Sequence, residues 1–387
     1  MVAPEFQFSL VSDPLLRLQR ALRFAPRDTF GAPRRAVLLA LATWLPIVIW
    51  AVFSGRIQLN LELDAMLRHL GVHVRCLIAI PLFILSEPLA DLYFGAVVAN
   101  FVPSGLIPED ERSRFAAVLR SVERWRDSKL VWAGLVALVA ASTMAAARSL
   151  GADDPDSLAW ARGPSGVDFG AAWAIYVVRP LFLFLTITWL WRLVLSWILL
   201  RRIARLDLSL VASHPDGVGG VGFVELHAAG FTLVIGAISS VACATVAHQI
   251  LNHGAQLAQF KAQLVSLGVL LVALFLAPLT SFSGPLRRVL RRARFQYGTL
   301  AARQVRGVHA KWIEGRDVDD PILDSSELGP TADVATLYQL ATRMRVVPIG
   351  KIALGAVLVP TLVPILLVAT TEMPLTDILV KMLGMLK

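Results

Sequence analysis

Residues 74–101 read VRCLIAIPLFILSEPLADLYFGAVVANF. The run exceeds the ~20 apolar residues that a helix needs to cross a hydrocarbon core. Its charged residues are Arg75, Glu87 and Asp91. Six more runs of this kind are Ala36–Phe53, Leu130–Ala147, Ala171–Leu200, Leu226–Ile250, Leu264–Phe282 and Ile349–Thr370. A soluble core spreads its apolar residues at helical or strand periods, whereas these are concentrated in blocks. Hydrophobic residues make up 56% of the 387 and charged residues 17%, against roughly 45–50% and about 25% in soluble domains. The expected fold is therefore an all-α polytopic transmembrane bundle of about seven spans.

Between the blocks lies the positive charge. Segments 1–35, 102–129, 201–225 and 283–348 carry 26 Lys and Arg; segments 54–73, 148–170, 251–263 and 371–387 carry 7. Basic loops stay on the cytoplasmic side of a membrane, so the N-terminus is expected inside and the C-terminus outside. The net charge of +9 is thus read as topology, and nucleic acid is not an expected partner. Arg far outnumbers Lys, as in GC-rich bacterial genomes, so the expected location is a bacterial inner membrane. The first apolar run begins only at Ala36, behind Arg-bearing sequence with no small-residue cleavage site, and no cleavable signal is expected. The chain divides into a cytoplasmic segment 1–35 with an amphipathic stretch Leu15–Phe24, a six-span bundle 36–282, a basic segment 283–348, and a seventh span with an outer tail at 349–387.

Ionisable residues inside spans are costly in lipid and point to function or to pairing. The second span holds Glu87 and Asp91, one helical turn apart around Pro88. The fourth holds Arg179, followed by Pro180, and Arg192. Counting 1.5 Å per residue from the inner span ends places Asp91 and Arg192 level, deep in the bilayer. They are expected to form an ion pair or to line a polar track, with the prolines freeing carbonyls beside it. Ala133, Ala137, Ala141 and Ala145 form a small-residue face that is expected to place the third span inside the bundle.

A second feature is the inner loop Ser213-His-Pro-Asp-Gly-Val-Gly-Gly-Val-Gly-Phe223. Its amides, with Gly217, Gly219 and Gly220 among the candidate residues, precede a helix and could hold an anion or phosphate; the competing reading is a tight turn that needs positive φ ahead of the span. A dinucleotide site is excluded, because no βαβ unit follows. His214 and Asp216 are too few for a metal. With Cys76 and Cys243 in separate spans, no metal site or cofactor is expected. The His-Pro-Asp-Gly and Gly-Gly-x-Gly-Phe elements, with Lys311-Trp312, Asp333 and Arg343-Met344-Arg345 downstream, resemble a family of uncharacterised bacterial polytopic inner-membrane proteins. The resemblance covers about residues 200–370. It implies this architecture and assigns no catalytic residue.

After the sixth span, Leu286, Val289, Leu290, Ala293 and Tyr297 recur at helical spacing among Arg287, Arg288, Arg291 and Arg292. Such a helix suits an anionic lipid surface. Phe115, Val118, Leu119, Val122 and Trp125 make a similar stripe within 107–128. The expected function is an ion or small-solute channel or transporter. The alternatives are a membrane-anchored scaffold or regulatory subunit acting through its inner helices and the 213–223 loop, and a membrane-embedded enzyme, for which no nucleophile–base pair is visible. Expected partners are the bilayer, anionic lipids, and a second copy or another membrane protein.

Overall fold

The computed structural model describes the chain except residues 1–5, 7, 22–23, 25, 27–29, 56–65, 67–68, 149–161, 164–165, 318–328 and 373–387. The described residues form helices and one short antiparallel pairing, Arg162–Gly163 with Gly166–Val167; seven of these helices are long and apolar enough to cross a membrane. The spans are Ala32–Phe53, Leu70–Asn100, Lys129–Arg148, Phe169–Ile203, Thr232–His253, Leu257–Leu276 and Lys351–Ala369. Seven such helices fit a multi-pass membrane protein.

Proline shapes several of them. The second span opens with a wide π-turn, Val74–Ala79, directly ahead of Pro81; the fourth does the same at Ala174–Val178, directly ahead of Pro180. A proline ring has no N–H and clashes with the carbonyl four residues back, and widening the preceding turn relieves both faults. The seventh span carries Pro360 and Pro364. There Ser239 of the fifth span donates to the Thr361 carbonyl at 2.9 Å, a contact that ties the fifth span to the seventh between the two prolines. After the sixth span a tighter turn, Ala277–Phe282, leads into a 26-residue basic helix, Ser283–Val308.

The loops gather at two ends. At one, Ser209 donates to the Leu106 carbonyl at 3.0 Å, Arg345 donates its amide to the Gly217 carbonyl at 2.7 Å, and Ser213 meets Tyr297 Oη at 3.1 Å. Arg17 pairs with Asp127 there as well. All four Lys- and Arg-rich segments therefore share this Arg-rich end. At the other end the His69 and His248 rings lie 4.8 Å apart, and Glu372 accepts from the Leu257 amide at 2.5 Å. The chain thus alternates between ends, as seven crossings require.

One expectation is corrected. The third span lies on the periphery: 11% of its apolar window is buried, against 56% for the fifth. Val139 and Thr143 face the bundle, and the four alanines are exposed. Small residues permit close approach without specifying what approaches. Residues 8–21, part of the segment ahead of the first span, are built into the core of the Arg-rich end. Phe8, Leu10, Val11 and Leu16 are buried there, with the Phe8 ring 5.9 Å from Phe94 and the Phe6 ring 5.8 Å from Phe115. Of the 107–128 stripe, Phe115, Leu119 and Val122 are buried beneath this layer, while Trp125 is exposed.

Candidate functional site

The N-terminal segment brings a carboxylate into the bundle. Asp13 precedes Pro14, the first residue of the helix Pro14–Ala21. Its Oδ1 accepts the Leu16 amide at 3.1 Å, an N-cap followed by proline in the first turn, where the missing N–H does no harm. The other oxygen, Oδ2, accepts two bonds from Arg192, at 3.1 Å from Nε and 2.7 Å from Nη2. Arg192 also lies over the Trp189 ring, 4.5 Å from its centre, and Trp189 is held in turn by donating to the Phe83 carbonyl at 3.1 Å.

Arg35 supplies the second cation, from the first turn of the first span. Its Nη1 donates to Glu87 Oε2 at 2.5 Å and to the Phe30 carbonyl at 3.1 Å, and its Nη2 donates to Gln19. Glu87 Oε1 stands 3.8 Å from Arg192 Nη2, so Glu87 faces both guanidinium groups. The four residues alternate in sign and none is more than 2% exposed. They join the N-terminal segment and the first, second and fourth spans in one neutral cluster. Burying four charges is expensive, and pairing with additional hydrogen bonds is what makes such a cluster tenable.

Asp91 and Arg192, expected to pair, do not partner each other: Arg192 takes Asp13 and Glu87, while Asp91 accepts from Ser9 Oγ. Nor is the cluster deep in the bundle. Because Arg35 in the first turn of the first span reaches Glu87, the cluster is level with that turn, and the second and fourth spans extend past it. Arg179 stays apart and exposed at the start of the α-helical part of the fourth span. Ser9 also accepts Arg126 on its carbonyl; Arg126 holds Asp127, and Asp127 pairs with half-exposed Arg17. Residues 9–13 therefore link the sealed cluster to a polar chain that ends at the surface.

Asp13, Arg35, Ser9 and Arg126 were not among the sequence candidates. The Asp13-Pro14 pair is a helix-start signal visible in the sequence. Nothing local indicates that its carboxylate would meet a residue 179 positions away.

In the 213–223 loop the structure decides between the two readings. Gly217, Gly219 and Gly220 adopt φ of 65°, 71° and 97°. The amides they orient converge on an anion that the loop supplies itself. Asp216 Oδ1 accepts Val218 at 2.8 Å and Gly220 at 3.1 Å, Oδ2 accepts Gly222 at 2.9 Å, and His214 Nδ1 lies 2.9 Å from Oδ1. Burial alone would push the Asp216 carboxyl up, but the three amides and His214 together hold it below the ordinary carboxylate value. The amides of Val218, Gly220 and Gly222 are thus taken from within the loop and not offered to an external phosphate. A Cβ at Gly219 would come 3.1 Å from Met344 and 3.3 Å from Leu286, so the loop also serves as a packing knot.

Arg287, Arg288, Arg291 and Arg292, after the sixth span, are exposed. Arg288 and Arg292 face a cavity shared with Arg114 and Arg205; Arg287 and Arg291 do not line it. Compared with known proteins, the chain matches no family model, no curated protein and no solved structure. Its site is therefore read from its own chemistry.

Proposed function

We propose that the chain is a multi-pass protein of a bacterial inner membrane that passes small ions or solutes, and that its N-terminal segment closes the Arg-rich end. One observation carries this reading: Asp13, on a segment outside the spans, is seated on Arg192 within a neutral cluster drawn from three spans. A purely structural pair needs no partner from a segment outside the spans. A latch does, since withdrawing residues 9–13 uncovers Asp91 and Arg192 together. Buried ionic groups serve best as specificity or switch elements, and ionisable residues within spans mark pathways by default.

Liposomes carrying the full chain should pass small monovalent ions faster than protein-free liposomes. Equal leak from the two, for ions of either sign and with Asp13→Asn as well, would overturn the reading.

The Arg-rich end is assigned to the cytoplasm, on the count of 26 Lys and Arg against 7. A reporter active only outside the cytoplasm should be silent when fused after Gly105 and active when fused after Gly254. The reverse pattern would invert the topology.

A second reading, as a scaffold or regulatory subunit, draws on the basic helix. Phe295 and Val305 on it, and Trp312 and Ile313 just beyond it, are exposed. A lipid surface accounts for the same apolar positions beside arginines, so the scaffold reading ranks second.

A further inference from the structure

Three distant stretches of sequence build a cavity of about 360 Å³ at the Arg-rich end. Arg114 comes from the first turn of the helix Arg112–Arg126 and Arg205 from the chain just past the fourth span. Arg288 and Arg292 come from one face of the helix Ser283–Val308, one turn apart. Asp207 is the single acid on the wall, so four arginines against one aspartate leave three positive charges in excess.

Like charges repel, and an anion sharing the space relieves that repulsion. Arg114 has a partner in Glu111, at 2.7 Å. Among the described residues, Arg205, Arg288 and Arg292 have no ion-pair partner within the chain. Guanidinium forks match phosphate oxygens two bonds at a time, and the volume lies at the small end of ligand pockets, roughly 300–1,000 Å³. Asp207 suits a hydroxyl carried beside the phosphate. The Arg288 and Arg292 wall follows directly on the turn Ala277–Phe282 that ends the sixth span, the level at which a lipid headgroup would lie.

We propose that this cavity binds a phosphate ester bearing a free hydroxyl, supplied by an anionic lipid headgroup or by a free glycerol phosphate. The site is independent of the Asp216 loop and does not rest on the channel reading. It also separates arginines that look equivalent in sequence: a diffuse attraction to anionic lipid would use Arg287 and Arg291 as well as Arg288 and Arg292, whereas a built site uses only the latter pair.

The test titrates the full chain in neutral detergent, by calorimetry, with dihexanoyl phosphatidylglycerol and separately with glycerol phosphate. Saturable binding of about one equivalent is expected. Arg288→Gln with Arg292→Gln should weaken it by ~tenfold or more, as loss of charge-assisted bonds implies. The control, Arg287→Gln with Arg291→Gln, removes equal charge from the same helix and should leave affinity nearly unchanged. Circular dichroism of both variants checks that each is folded. Binding of both probes supports the site with a free phosphate as ligand, and binding of the lipid alone supports it with a headgroup. Binding of neither probe, or equal loss in the two variants, overturns it.

Discussion

Arg192→Gln is expected to lower the unfolding temperature of the purified protein in detergent sharply, and Asp13→Asn on top of it should restore part of the loss. Arg192 makes two bonds to Asp13, faces Glu87 at 3.8 Å and covers the Trp189 ring. Its removal leaves Asp13 uncompensated at 1% exposure and halves the positive charge facing Glu87. Breaking a buried pair by deleting one partner costs ~3–5 kcal/mol, mostly through the stranded charge. Neutralising that stranded charge is why the double variant recovers. Residues in contact give coupling energies of ~0.5–3 kcal/mol in such cycles. Asp91→Asn supplies the contrast: Asp91 accepts from a serine and not from Arg192, so pairing it with Arg192→Gln should give additive losses. Coupling of Arg192 to Asp91 and none to Asp13 would mean that the cluster is assigned wrongly.

The contrast shows what the sequence could carry. The seven spans and the alternation of basic and non-basic segments are legible because lipid imposes long apolar blocks, and those blocks survive any detail of packing. Span ends are less legible: the first span begins at Ala32, four residues before the apolar run at Ala36, because Pro33 starts a helix while Arg34 and Arg35 interrupt hydropathy. That interruption hid Arg35, which was counted as a loop charge and is a fully buried member of the cluster. Glu87 and Arg192 were visible as charges in apolar surroundings, but their partners were not. Pairing is set by how helices pack, and in lipid both protein-facing and lipid-facing sides are apolar, so periodicity does not tell them apart. The same ambiguity misplaced the alanine face of the third span. In the 213–223 loop the glycines announced a nest of amides, and only the side-chain direction of Asp216 reveals that the nest is filled by its own acid. The arginines at 287, 288, 291 and 292 read as one basic block. Their division into two faces depends on Arg114 and Arg205, which lie far away in sequence.

Releasing the N-terminal segment is expected to produce the largest change in flux. On the proposed reading, a latch of a few kcal/mol would hold the released state at roughly 0.1–10% of molecules, so ion passage through the full chain should be slow. Asp13→Asn removes the charge that Arg192 grips while leaving Glu87 beside that guanidinium, so the bundle keeps a counter-charge. Weakening the latch by the ~1.5–3 kcal/mol typical of a hydrogen bond to a charged group multiplies the released population about tenfold to a hundredfold, and flux should rise in proportion. A covalent lock makes the argument reversible. Ser9 and Asp91 touch through their side chains, so cysteines at both positions are the pair to oxidise, once the native buried Cys76 and Cys243 are replaced by alanine. In an Asp13→Asn background the oxidised lock should abolish the added flux, and dithiothreitol should restore it. The reduced protein serves as its own control for folding, because oxidation changes nothing except the tether. Flux that is indifferent to the redox state, with the disulfide verified by mass spectrometry, would show that ions do not pass where residues 9–13 sit.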